Sequence, residues 1–505
     1  MPRTPLFRAL RRSMRLAQST LHTGHSPSEA VDRWHAATTS RRAFLMSSAA
    51  ATAGVALAGC AARAPRIAAG RASKVVIVGA GIAGLVAGYR LQQAGVPVRI
   101  LEAQNRTGGR MLSLRDYFPD GQVAELGGEL IDTGHARLRA LCAELGIALD
   151  DLALEEEGLA RETWFFGGQR RTEEEVVDAF RPIAARVAAD LATIGGDGSV
   201  TYREPNGAQA LDRLSIAEWL DRAGVSGWMR SLLEIGYTTE YGMEADRQSA
   251  LNLLLMIDPE PDPFRIYGDS DERFHVRGGN DLVVSTLAKA LQSRIETGSV
   301  LEAVSARAGG GFRLSVGGAA GARVVDATHV LLALPFTLLR DVRLDVELPA
   351  VKRKAIAELG YGTNAKVMVG FTERVWRATH RSNGSVATDL PFQSTWETSR
   401  AQAGRSGVLT NFTGGAHGVA VGQGTAREQA DRVARELDAV FPGVAAAREG
   451  AKEVRFHWPS HPWTRGSYAS YLAGQWTGIA GAEGEAVGRL HFAGEHCSNA
   501  FVGYM

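Results

Sequence analysis

Apolar and polar positions change period several times along the chain, and each change predicts an element. Val75–Val78 is an unbroken β-branched run, as expected of a strand buried on both faces of a parallel sheet. A glycine-rich turn follows, then Leu85, Tyr89 and Leu91 at helical spacing up to Gly95, then a second strand from Val98 to Leu101 that finishes in Glu102. This is a βαβ unit. Further on the period becomes helical. Val176, Phe180, Ile183, Val187 and Leu191 form one stripe behind a Thr172–Glu175 capping box, and Ser215–Glu218 opens a second helix with Gly224 past its end. From Arg273 a strand–glycine–helix pattern returns, and "ATHVLLALPFTLL" reads as a buried strand ending at Pro335. Val367, Val369 and Phe371 then alternate in a strand that also carries Lys366.

Composition narrows the class. A chain of 505 residues exceeds one ordinary core, and 45% hydrophobic with 22% charged residues is the balance of a globular protein. A formal net charge of +1 gives no electrostatic case for nucleic acid as partner. The 3 cysteines, Cys60, Cys142 and Cys497, exclude a disulfide framework, and the last two are expected to be buried free thiols. No metal-ligand set stands out: Pro459 between His457 and His461 breaks a helical pair, and His491 and His496, flanking a turn, read as structural.

The N-terminus differs from the rest. Residues 1–60 are basic at first, then run Arg41–Arg42, Phe44–Leu45 and a weakly apolar Ala/Gly/Ser stretch, the pattern of a twin-arginine export signal. Leu57 to Cys60 adds a lipobox, with a lipid anchor at Cys60. Cleavage after Ala58 is the rival, and a chance arginine pair ahead of a linker is the plain alternative. Residues 61–73 read as linker. The expected address is the periplasm or another extracytoplasmic site, by a route that carries proteins already folded around a cofactor.

Gly79, Gly81 and Gly84, spaced G-x-G-x-x-G in a full strand–turn–helix–strand context, point to a dinucleotide. Gly79 permits the tight turn, Gly81 lets backbone approach a pyrophosphate, and Gly84 lets the helix close on the strand. Ile82 and Ala83 begin the helix whose N-terminus faces the phosphates. Glu102, with Ala103 beside it, is placed for the ribose hydroxyls. Arg106, Gly108, Gly109 and Arg110 supply a second clamp that a transient nicotinamide cofactor rarely receives, and Gly127, Gly128 and Glu129 add another glycine pair after a strand.

In combination these motifs resemble the flavin-containing amine oxidase family of monoamine, polyamine and L-amino acid oxidases, over residues 74–505. The resemblance implies non-covalent FAD and an α/β fold, a Rossmann-like FAD domain (74–150, 270–330 and 455–505) interleaved with a mixed α+β substrate domain (151–269 and 331–454). It also implies roles for single residues. Lys366 matches a lysine that holds a water near the flavin N5. Ser467 stands where vertebrate monoamine oxidases carry a flavin-bonding cysteine. Tyr468 and Tyr504 match two walls of an aromatic cage; Val300, Gly494 and Glu495 fall on the cofactor side. The family pattern continues about one helix beyond Met505, so a C-terminal helix is expected to be missing.

The implied reaction is oxidation of an amine C–N bond by hydride transfer to flavin N5, giving an imine that hydrolyses. Dioxygen, with peroxide formed, or a cytochrome reoxidises the flavin. L-amino acid oxidases place an arginine just after the second glycine pair, and none occurs there. Asp132 matches a carboxylate that meets a distal ammonium in plant polyamine oxidases, which favours a cationic amine; Asp132 or Thr133 also reads as the N-cap of the next helix. An L-amino acid oxidase and a catalytically impaired flavoprotein are the alternatives.

Overall fold

The computed structural model describes residues 74–504, apart from 157, 197, 269, 319, 320, 449, 499 and 500. The signal, lipobox and linker expectations, Cys60 included, lie outside the described residues.

The βαβ reading falls on its residues. Val75–Val78 and Val98–Leu101 are strands joined by the helix Ile82–Gln93, and they occupy adjacent places in a five-stranded sheet ordered Leu490–Phe492, His329–Leu332, Val75–Val78, Val98–Leu101, Ile295–Glu296. All neighbours are parallel, with Val75 opposite both His329 and Val98. Parallel order gathers the carboxyl ends of the strands, so the turns that begin at Gly79, Glu102, Ala333 and Ala493 open on one edge of the sheet. That edge is where doubly wound sheets bind ligands. Helix and sheet close tightly: a Cβ at Gly88 would stand 2.8 Å from Ile100 Cδ1.

A seven-stranded sheet forms the second layer system. Its order is Glu453–His457, Ala365–Phe371, Gly407–Thr413, Ser394–Glu397, Val386–Thr388, Thr163–Phe166, Gln169–Arg171. Ala365–Phe371 is buried at every position, because strands cover both its edges and the helix Ala426–Leu437 packs on it. Two expected domain boundaries fall inside strands: His329–Leu332 pairs wholly within the parallel sheet, and Glu453–His457 pairs with Ala365–Phe371.

The helical segment between the sheets' strands packs Phe180, Trp219, Tyr237 and Leu254 into its own core. Both expected capping boxes form, at Thr172–Glu175 and Ser215–Glu218, and a third, unread in the sequence, starts Ala426–Leu437 at Thr425–Glu428. Cys142 and Cys497 are free thiols; Cys142 is buried, Cys497 only partly so.

Candidate active site

A cavity of about 690 Å³ runs from the carboxyl edge of the parallel sheet to the helical segment. Gly79, Gly81, Ile82, Ala83, Glu102, Ala103 and Val300 line its first end. The glycines there are not equivalent. A Cβ at Gly79 would lie 2.5 Å from the Ala333 carbonyl and one at Gly84 would lie 2.0 Å from the Gly79 carbonyl, whereas one at Gly81 would meet nothing within 4 Å. The turn is therefore packed from behind and open in front. Gly84, expected among the cofactor contacts, does not line the cavity; its space is taken by the turn itself. Glu102 is buried and accepts the Ala80 and Gln104 amides at 2.8 and 2.9 Å, with lone pairs to spare. Burial raises its pKa against the pull of those amides. An open glycine turn ahead of a helix N-terminus, followed by a fixed acid, fits the pyrophosphate and ribose of an adenine dinucleotide.

Arg110, Gly109, Gly127, Gly128, Glu129, Gly494 and Glu495 line the middle. Arg110 does not stand alone. Its Nη1 donates to the Ser467 carbonyl at 2.7 Å and to Glu495 Oε1 at 2.9 Å, tying the Gly108–Gly109 turn to the Gly494 turn. The strand Ala124–Glu125 leads into a turn whose carbonyls have no ladder partners, and side chains supply the donors. Glu125 O and Gly127 O accept from Lys366, Leu126 O from Trp458 Nε1 at 2.9 Å, and Gly128 O and Glu129 O from Asn280 Nδ2 at 3.0 and 2.7 Å. Gly127 sits so close to Arg110 that a Cβ would reach its carbonyl at 1.8 Å.

Lys366 departs from expectation. It lines the cavity, but Nζ donates to Gly127 O at 2.8 Å, Glu129 Oε2 at 2.8 Å and Glu125 O at 3.2 Å. An ammonium has three donors, and here protein oxygens match all three, leaving none to hold a water against a flavin. A buried lysine in a strand needs partners, and the turn provides them.

The far end is an aromatic chamber. Tyr468 and Tyr504 line it with Trp164, Tyr241, Tyr267 and Trp396. Tyr468 donates its hydroxyl to the Glu240 carbonyl, and Tyr504 meets His135 edge-on at 4.8 Å between centroids. Burial, then the charge of Glu240, raises both phenols, so they stay neutral. Three acids that sequence reasoning missed, Glu162, Glu240 and Glu272, line the same chamber. Burial pushes Glu162 and Glu240 up to about 7, Glu240 further raised by Asp132. It pushes Glu272 up to about 8 against the opposing charge of Arg400. Glu162 and Glu272 line the cavity and are exposed there, so their protonation is less firmly held than that of the half-buried Glu240.

Asp132, expected to meet substrate, lies behind the wall. Its carboxylate accepts the Ser270 hydroxyl at 3.1 and 3.0 Å and the Glu272 amide at 2.8 Å, and it does not line the cavity. It anchors the loop that presents Glu272. Nor is it an N-cap: the helix runs Ala136–Glu144 with His135 at the cap and no side-chain cap bond. Arg265 also lines the chamber and pairs with Asp258.

A dinucleotide turn at one end of a cavity and a tyrosine-walled chamber at the other define a flavin-dependent oxidoreductase. The chain belongs to the flavin containing amine oxidoreductase family, whose model matches residues 82–505, and FAD is its cofactor. An L-amino acid dehydrogenase of Synechocystis sp. is 24% identical over 85% of this chain and 91% of its own length. An L-amino-acid oxidase of Siganus canaliculatus is 25% identical, over 84% and 80%. The solved structure of a putrescine oxidase bound to putrescine shares the fold at TM-score 0.73 and 22% identity, covering 86% of this chain and 95% of that one. Cyclohexylamine oxidase from Brevibacterium oxydans gives TM-score 0.73 at 21% identity, with the same coverage.

Proposed function

We propose that the protein oxidises an amine that carries a second cationic group. The observation behind this reading is the placing of Glu162, Glu240 and Glu272 around one aromatic chamber. Gly79, Gly81, Glu102, Gly109 and Glu495 would hold FAD, which would supply a hydride acceptor for the carbon next to the reacting nitrogen. The protein's own part is positioning. Tyr468 and Tyr504 are neutral rings that receive an uncharged amine without offering it a proton. The acids receive the distal ammonium, and the apolar rings exclude water from the reacting end. The imine hydrolyses after release. FAD is held non-covalently: the Ser467 hydroxyl donates to Asn364 Oδ1 at 2.6 Å and offers no thiol.

A basic L-amino acid is the second reading. Arg265 on the chamber wall is a cation of the kind that grips a carboxylate, and relatives at 24–25% identity act on L-amino acids. Anaerobic absorbance of the holoenzyme separates the two. Fast bleaching by diamines, with basic amino acids inert, supports the first; the reverse supports the second. No bleaching by any of them leaves a flavoprotein without this activity. A peroxide assay beside a cytochrome-reduction assay identifies the electron acceptor.

We also propose export by the twin-arginine route, on Arg41–Arg42 ahead of the weakly apolar stretch. Replacing both by lysine should leave the flavoprotein in the cytoplasmic fraction; unchanged export would refute the route. Labelling of the native chain, but not of Cys60→Ala, with radioactive palmitate would support the lipid anchor.

A further inference from the structure

We propose that Lys366 and Glu129 work as one neutral ion pair that braces the 125–129 turn against the cofactor, with Glu129 as a positioning residue acting through the lysine. The inference rests on FAD occupying the cavity and is independent of which amine is oxidised.

The geometry supports a pair rather than a lone cation. Lys366 and Glu129 are 5% and 6% exposed in their side chains, 2.8 Å apart. The other two lysine donors hold the carbonyls of Glu125 and Gly127, on either side of Leu126. Glu129 Oε1 accepts the Thr398 hydroxyl at 3.2 Å, so both carboxylate oxygens are engaged. Burial alone would push Glu129 up, but the lysine's charge and hydrogen bond outweigh it and hold the carboxylate below its usual range. Lys366 Nζ also lies 5.2 Å from the Trp396 ring centroid. His275, 3.1 Å from Glu125 Oε1, acts on Glu129 in the same direction as the lysine, and the buried Glu125 carboxylate belongs to the same cluster.

The flavin should therefore feel a neutral pair, and breaking the pair from either side should shift its midpoint potential in opposite directions. Glu129→Gln leaves a cation beside the cavity, which favours the reduced, more negative cofactor, and raises the potential. Lys366→Met leaves a buried carboxylate and lowers it. That fall grows with pH, because an unpartnered buried carboxylate gives up its proton only at higher pH. The double variant removes both charges and returns close to the native value. Potentials of the bound flavin, each compared with the native holoenzyme at the same pH from 6 to 9, read this directly.

A Glu129→Gln potential equal to native, with Lys366→Met and the double equally lowered, would overturn the proposal and leave the lysine acting alone. Where a single variant purifies without flavin, the FAD content of the double variant decides. Retained FAD supports the pair, since removing both partners leaves no buried charge unpaired, only the Glu125 and Gly127 carbonyls. A Glu129→Gln variant that keeps full FAD while Lys366→Met and the double variant lose it equally refutes the pair and leaves the lysine bracing the turn alone.

Discussion

Glu240→Gln together with Glu272→Gln is expected to cost a diamine on the order of 100-fold in kcat/KM, while a monoamine of the same length stays within a few-fold. Each acid offers the distal ammonium a charge-assisted contact worth about 1.5–3 kcal/mol, and about 1.4 kcal/mol is tenfold in rate. Amide replacements keep shape and one acceptor but lose the charge. The pH dependence has a definite sign. Glu240 and Glu272 are raised to about 7 and about 8 by burial, so below these values they are neutral acids and give a cation little. As pH rises through 7 and 8 they ionise, and the preference for diamine over monoamine should grow between pH 6 and 9. Comparing the two substrates cancels deprotonation of the reacting nitrogen, which both require. Steady-state kcat/KM ratios across that range, in native and double-variant enzyme, check it. A ratio that is flat with pH and unchanged by the substitutions would remove the acids from substrate recognition. Loss of the distal cation's contacts should appear mainly in KM, because that contact is made equally in the ground and transition states.

The sequence carried the dinucleotide end well and the chamber poorly, for physical reasons. Gly79, Gly81, Gly84 and Glu102 are fixed by backbone geometry that only a local run of residues can supply, so the motif, the flanking strands and the helix are contiguous in the chain. The chamber acids have no such signature. "LARETWFF" and "SDERFH" read as polar loop ahead of a strand, and only the fold places Glu162 and Glu272 on the cavity wall. Glu240 left a faint trace: an acid in the last turn of Gly227–Tyr241 opposes the helix dipole, an arrangement that needs a reason. The resemblance points to Asp132 as a substrate contact, but its carboxylate is taken up by Ser270 and the Glu272 amide behind the chamber wall. Lys366 was placed in a buried strand from its apolar neighbours alone, yet its partner, Glu129, lies 237 positions away in sequence. Long-range ion pairs of this kind are decided by sheet assembly, which no local pattern records.

Gly81→Val should yield a folded protein that has lost FAD, whereas Gly84→Val should not fold. The two positions are three residues apart in one turn, and the difference is what stands in front of each. At Gly84 a Cβ would be 2.0 Å from the Gly79 carbonyl, closer than any side-chain carbon tolerates, so the helix must leave the strand. At Gly81 φ is −73°, open to any L-residue, and no protein atom lies within 4 Å of the new Cβ. The Cβ there points into the open front of the turn, the space a pyrophosphate would enter. The expected loss is on the order of 100-fold or more in FAD affinity, the roughly 3 kcal/mol that excluding backbone contact with two phosphates would cost. Flavin-to-protein absorbance ratio and FAD titration give the affinity, and far-UV circular dichroism with tryptophan fluorescence of the flavin-free protein gives the fold. If Gly81→Val bound FAD with native affinity, the cofactor would not approach this turn, and the dinucleotide reading of the motif would fail for this chain. If both variants unfolded alike, the open space before Gly81 would have a structural use that neither the glycine spacing nor the cavity explains.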